Sequence, residues 1–394
     1  MSLAPDCAGD IYEGRVRPIG DEAQVYTQRF WPYIDIYGSW HGQLVASVPA
    51  DVVRNPDAPV RTYGVVDIPN PGWTEAAHKN GARTLGGCFW LRPDRFENFV
   101  QRDPDGSFPV GRKLVGIKQY FGFDGYFINQ EDAVSPAQIK ALFAMFRYMK
   151  SLDADLYLQY YDADLPGSGE LDYQNEINER NVGSLGTVSD PVADSIFINY
   201  GWPYADKDLS GSAATVAGRG FDPRKAAVAS TECQQGGFNP AEDFGSVASP
   251  GHAAPVSWAL FVENQIWADA AKEGITATAG GRAQYRDLER KFWSGPAGDP
   301  SQSGRAQARK PPYRTDVLNY KVWDGVAHSI VEKSAISALP LVTNFNIGVG
   351  THLAVAGETV GSKAWNNAGI AEVAPTWQYW TEHAGGATSA FVLD

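Results

Sequence analysis

Cysteine is scarce. Three residues of 394 are Cys, at positions 7, 88 and 233. They stand far apart with no C-x-x-C spacing, which argues against a disulfide framework or a zinc site; buried thiols are the plainer reading. No apolar run approaches the roughly 18 residues of a membrane helix, and no signal peptide is visible. Positive charge is short as well, with Lys+Arg 33 against Asp+Glu 46 and a net charge of −13. Such a chain repels phosphate backbones, so nucleic acid is not an expected partner. The basic stretch 305–314 is rich in Pro, Gly and Ser and reads as a solvated loop. No G-x-G-x-x-G follows the first strand and no G-x-S-x-G occurs, which leaves neither a dinucleotide site nor a hydrolase triad indicated. His41, His78 and His252 have no second ligand at metal spacing. Neither a cofactor nor a metal is therefore expected.

Apolar residues make up 43% and charged residues 20%, enough for a large core and incompatible with disorder. Aromatics are plentiful: 12 Trp, 18 Tyr and 18 Phe. Many lie beside Asn, Asp or Gln, a composition that suits a sugar ligand as well as a large core.

Short apolar runs bounded by turn signals predict strands at 33–38, 84–90, 125–131, 156–162, 195–202, 226–232, 256–262 and 341–347, with a weaker one at 65–68. The runs are continuous rather than alternating, as parallel strands buried on both faces require. Helical spacing between them is clearest at 136–150, behind Ser135 as N-cap and Pro136 at the first position. Weaker helices are predicted at 170–181, 207–217 and 284–292. Strand–helix alternation repeated eight times predicts an α/β fold, a (β/α)8 TIM barrel; an open doubly wound sheet is the alternative. The division expected is an N-terminal extension over 1–25, the barrel over 26–350, and a segment over 351–394. That last segment is expected to pack on the barrel and lead into a further β-rich domain.

Chemistry in such a barrel sits at the C-terminal ends of the strands. The third run ends in Asn129-Gln130-Glu131, and alternation puts Asn129 and Glu131 on one side. Most glycosidases need two carboxylates. A substrate with a 2-acetamido group can supply the second function itself: its carbonyl oxygen attacks the anomeric carbon and forms an oxazoline. The protein then needs one acid and one group to hold the acetamide, and Glu131 and Asn129 fit. A pair that caps a strand end would look the same. Other strand ends carry Tyr160-Tyr161-Asp162, Asn199-Tyr200-Gly201-Trp202, Glu232, and Asn344 with Asn346.

The stretch Gly122-Phe123-Asp124-Gly125-Tyr126-Phe127-Ile128-Asn129-Gln130-Glu131 resembles the signature of glycoside hydrolase family 85, the endo-β-N-acetylglucosaminidases. Similar pieces follow the family's order: Tyr33-Ile34-Asp35-Ile36-Tyr37, Pro71-Gly72-Trp73-Thr74-Glu75, Tyr161-Asp162, Tyr173-Gln174-Asn175-Glu176, Asn199-Tyr200-Gly201-Trp202, Phe292-Trp293-Ser294-Gly295 and Thr343-Asn344-Phe345-Asn346. The resemblance implies a barrel that cuts the β-1,4 bond between the two core N-acetylglucosamines of N-linked glycans. It implies Glu131 as acid and then base, Asn129 as the group that orients the acetamide, and Tyr161 as a donor to its oxygen. Trp202 and Tyr173 are expected to shape the site for the reducing-side sugar. Asn175, Asp162, Trp90, Tyr37, Glu232 and Asn344 are further expected substrate contacts. The resemblance also implies glycan transfer to an acceptor sugar and a secreted or cell-surface bacterial setting, with a cytoplasmic one left open; a monomer is expected. Tyr160 and Ala163 depart from the family's more common residues beside Tyr161-Asp162, which bears on glycan preference. The chitinase pattern Asp-Gly-x-Asp-x-Asp-x-Glu is met by Asp124, Gly125 and Glu131, but Phe127 and Asn129 replace its middle carboxylates. A silent, lectin-like barrel and a chitinase-like enzyme are the competing readings.

Overall fold

A computed structural model of the chain describes residues 2–4, 19–20, 26–38, 66–89, 93–203, 209–333, 340, 346–372, 380–382 and 388–390. Trp90, Asn344 and most of the expected strand 341–347 lie outside the described residues.

The centre of the fold is an all-parallel sheet. Its strands are β1 (Ser2–Ala4), β2 (Ile36–Gly38), β3 (Arg83–Phe89), β4 (Gly125–Asn129), β5 (Tyr157–Tyr161), β6 (Ser195–Ile198), β7 (Ala227–Glu232) and β8 (Ser257–Phe261). Each pairs with the next, and β8 pairs with β1, so the sheet runs round on itself as in a TIM-like α/β fold. The open doubly wound alternative is excluded by that closure. The place beside β8, where 341–347 was expected, is held by Ser2–Ala4. Val66–Asp67 adds a short antiparallel strand that pairs with Gly87 and Cys88 of β3.

Helices cover the sheet: α1 (Pro71–Lys79), α2 (Pro93–Phe99), α3 (Pro109–Phe121), α4 (Pro136–Leu152), α5 (Leu209–Gly218), α6 (Gln265–Lys272) and α7 (Ala279–Ser294). The sequence logic of α4 is local. Ser135 and Gln138 close a capping box, Pro136 opens the first turn, and Ile139, Leu142, Phe143 and Phe146 bury one face. The close approach of β4 to β5 depends on Gly125. A β-carbon there would stand 1.8 Å from the Tyr157 carbonyl oxygen of β5, so any side chain would push the two strands apart.

Alternation along the strands decides what faces the barrel axis. Phe127, Tyr161, Phe197, Val228 and Ala259, one from each of β4 to β8, form the inner cluster. Asn129, Asn199 and Glu232 keep the same parity and so point inward at the mouth. Thr231 faces outward, where its hydroxyl takes the Trp258 indole N–H at 2.9 Å.

One helix expectation fails here. Residues 170–181 form an irregular loop, not a helix, because Asp162 captures the Gln174 and Asn175 N–H groups that a helix would use. The basic stretch 305–314 is an irregular, mostly exposed loop, as expected, but its arginines are tied to other elements. Arg305 forks onto Asp243 at 2.6 and 2.9 Å and onto Asp324 at 2.9 Å. Arg309 has only 5% of its side chain exposed, and Arg314 reaches the end of β7. Near the C-terminus, Ala368–Ile370 packs on α1, where Lys79 Nζ donates to the Gly369 carbonyl at 2.6 Å.

Candidate active site

Glu131 lies two residues past β4, half-buried at the mouth. Asn129 Nδ2 donates to its Oε2 at 2.7 Å and the Tyr173 hydroxyl donates to its Oε1 at 2.7 Å. The expected acid and amide are thus neighbours, with a phenol on the other side of the carboxylate. Asn129 is 1% exposed, and its Oδ1 is buried with no hydrogen-bond partner. Such an atom costs about 1–3 kcal/mol until something donates to it.

Tyr161 stands on the next strand. Its hydroxyl donates to Asn199 Oδ1 at 2.6 Å; Asn199 Nδ2 donates to Asn175 Oδ1 at 2.8 Å, and Gly201 N–H donates to the same oxygen at 2.8 Å. Burial holds the Tyr161 phenol well above its ordinary pKa, with the Glu131 charge adding to it. Burial does the same at Tyr173, where the hydrogen bond to Glu131 adds to the shift. Both phenols therefore remain proton donors at neutral pH.

Asp162 organises this network from below. It is 3% exposed and accepts from Asn175 N at 2.7 Å, Asn181 Nδ2 at 2.9 Å, Gln174 N at 3.2 Å and Asn199 N at 3.5 Å. Burial raises its pKa to about 7, against the pull of these donors. Asn175 adopts φ 58°, a left-handed conformation that Asn tolerates better than most residues. Gly201 is required opposite it, since a β-carbon there would lie 2.4 Å from Asn175 Oδ1. Gly201→Ala is expected to displace Asn175, loosen Asn199 and Tyr161, and lower kcat/KM by about ten- to a hundredfold. Steady-state kinetics beside a melting curve would separate that from simple unfolding.

Glu131, Asn129, Tyr161, Tyr173, Asn175 and Asp162 thus come together. Two other expected contacts do not join them. Trp202 is 4% exposed and gives its indole N–H to the Ser230 carbonyl at 2.8 Å, edge-on to Phe244. Tyr37 is 3% exposed, stacked on Trp73 at 5.8 Å. Both rings are walls of the outer core, because burial of their large apolar faces outweighs exposure at the mouth. Asp124 bonds backbone, accepting from Thr84 N at 2.7 Å. Glu232 faces the mouth from β7 and pairs with Arg314 at 2.8 Å. Asn199 and Asn181 are parts of the network to which the sequence assigned no role, although Asn199 lies near the end of the predicted strand 195–202. Arg314 and Glu242 carried no local signal at all; 72 residues separate them.

Curated relatives named cytosolic endo-beta-N-acetylglucosaminidase match this chain. The Gallus gallus protein is 25% identical over 387 residues, which cover 95% of this chain and 43% of the relative. The Homo sapiens protein is 33% identical over 149 residues, or 36% of this chain and 19% of the relative. The chain spans less than half the length of these relatives. Their names contradict the secreted or cell-surface setting expected above, which is withdrawn. Among solved structures, the glycoside hydrolase domain of Endo-D from Streptococcus pneumoniae R6 shares the fold, with a TM-score of 0.69 at 22% identity over 97% of this chain and 55% of that one. The pattern of glycosyl hydrolase family 85 matches residues 13–353. That span takes in β2 through β8 and every residue of the Glu131 network, so the chain belongs to glycosyl hydrolase family 85.

Proposed function

We propose that this chain is an endo-β-N-acetylglucosaminidase acting on the β-1,4 bond between the two core N-acetylglucosamines of N-linked glycans, by a substrate-assisted route. One observation carries the reading. Glu131 is held by an amide and a phenol, while two other carboxylates expected at the mouth are engaged: Asp162 by four donors and Glu232 by Arg314. Neither Asp162 nor Glu232 is placed as the second, ready carboxylate that a two-carboxylate glycosidase needs beside its acid. An acetamide on the substrate supplies that function.

In this scheme Glu131 gives its proton to the leaving glycosidic oxygen as the acetamide oxygen closes on the anomeric carbon. Asn129 receives the acetamide N–H on its partnerless oxygen. Tyr161 turns its hydroxyl from Asn199 to the acetamide oxygen. Glu131 then draws a proton from water, which opens the oxazoline; an acceptor sugar in place of water gives transfer. Two displacements at one carbon retain its configuration. The curated relatives' names fit the same bond and a cytosolic setting.

Incubation with a high-mannose glycoprotein followed by intact mass measurement tests the reading. Protein left with a single N-acetylglucosamine per site is the expected product; glycan binding without any mass change would point to the lectin-like alternative. Asn129→Ala is expected to lower cleavage of that glycoprotein by about 10²-fold or more, while a supplied sugar oxazoline is still hydrolysed. Equal loss on both substrates would remove Asn129 from the acetamide step.

A further inference from the structure

The β7 side of the mouth holds a polar cluster outside the Glu131 network. Arg314 Nη2 lies 2.8 Å from Glu232 Oε2 and 3.5 Å from Glu242 Oε1, and Arg314 Nη1 donates to Gln235 Oε1 at 3.0 Å. Glu242 is fully buried and accepts the Glu232 backbone N–H at 3.2 Å. A third of the Arg314 side chain is exposed, while its Nε is buried with no hydrogen-bond partner.

Two observations place this cluster in the same cleft as Glu131. Glu232 shares parity with Val228 of the inner cluster, so it points to the axis. The phenols of Tyr161 and Tyr200 also feel the charges of both Glu131 and Glu232. The arm that brings Arg314 is anchored on both sides: Arg314 N donates to the Asn239 carbonyl at 2.9 Å, Asn239 Nδ2 to the Thr315 carbonyl at 3.0 Å, and Phe238 N to the Val317 carbonyl at 2.8 Å. Arg314 itself has φ 63°, a left-handed backbone that costs a non-glycine residue energy and recurs at functional sites. An ion pair in such a place adds little stability, so stability alone is a poor reason for it.

We propose that Arg314 and Glu232 bind vicinal hydroxyls of a neutral hexose of the glycan and set how tightly it is held. A guanidinium edge donates and the adjacent carboxylate accepts, which matches two neighbouring hydroxyls. Two carboxylates around one guanidinium disfavour an anionic sugar. Burial raises the pKa of Glu242 to about 7, which keeps the cluster close to neutral.

This inference rests on the glycan reading above, and the test separates the two. Kinetics on a high-mannose glycopeptide are run beside calorimetry with the free high-mannose glycan that ends in one N-acetylglucosamine. Arg314→Ala is expected to raise both KM and Kd by about ten- to a hundredfold, with kcat within about threefold; Arg314→Lys should recover part of the loss. Glu232→Gln, close in shape, should raise KM and Kd in the same direction and serves if Arg314→Ala does not fold. Unchanged KM and Kd, or a fall in kcat alone, would overturn the proposal. A parent chain that binds the glycan through Arg314 yet cuts nothing would overturn only the enzymatic reading. A parent that neither binds nor cuts would overturn both.

Discussion

Glu131→Gln is expected to lower kcat/KM on N-glycoprotein by about 10²- to 10⁴-fold, the range for loss of a general acid–base group. The change keeps the size and shape of the side chain. Its carbonyl oxygen can still accept from Asn129 or from Tyr173, which donate at 2.7 Å each in the parent. The melting temperature should therefore move by little more than a degree or two. Glu131 is half-buried at the mouth rather than in the core, so the fold does not lean on its charge. Released glycan measured by chromatography, beside a melting curve, checks both parts. Turnover within a factor of a few of the parent would sink the assignment of Glu131.

Asp162→Ala should do the opposite, with stability and activity lost together. Its two oxygens take four N–H groups, from Gln174, Asn175, Asn181 and Asn199. Removing the acceptor leaves buried donors unpaired at about 1–3 kcal/mol each. Loop relaxation and entry of water reduce the sum, so a loss on the order of 3–5 kcal/mol is expected. The melting temperature should fall by about 4–6 °C. The Asn175–Asn199–Tyr161 chain hangs from the same carboxyl, so kcat/KM should drop in the fraction that remains folded. Asp162→Asn keeps one acceptor but turns an amide N–H₂ toward donors, so an intermediate melting temperature is expected. A variant that melts with the parent would show that the loop 170–181 is held by something else.

The strands were legible because parallel strands buried on both faces must be apolar throughout. The residues of β4, Tyr126-Phe127-Ile128, announce that burial directly. The α4 helix was legible for a similar reason: its cap, its proline and its apolar stripe are all set by neighbours within four residues. The Asn129–Glu131 pair could be placed on one side because strand alternation is a local rule. The loop 170–181 misled because its apolar and polar residues suit a helix, whereas Asp162, distant in the chain, takes its N–H groups. The packing of Trp202 and Tyr37 was not legible, because an aromatic at a strand end can face the mouth or the helices, and the partners seen here, Phe244 and Trp73, are distant in the chain.

The order of residues alone was enough for the fold class, for an acid beside an amide at one strand end, and for the family likeness. All three depend on contacts a few positions apart or on motif order. Which carboxylates are free and which are engaged was settled by long-range packing. Arg314 meets Glu242 across 72 residues, and the barrel sets them together only when β7 turns its end toward the mouth. A charge read along the chain has no partner; its role is set by the dielectric and the counter-charge that folding brings within about 4 Å.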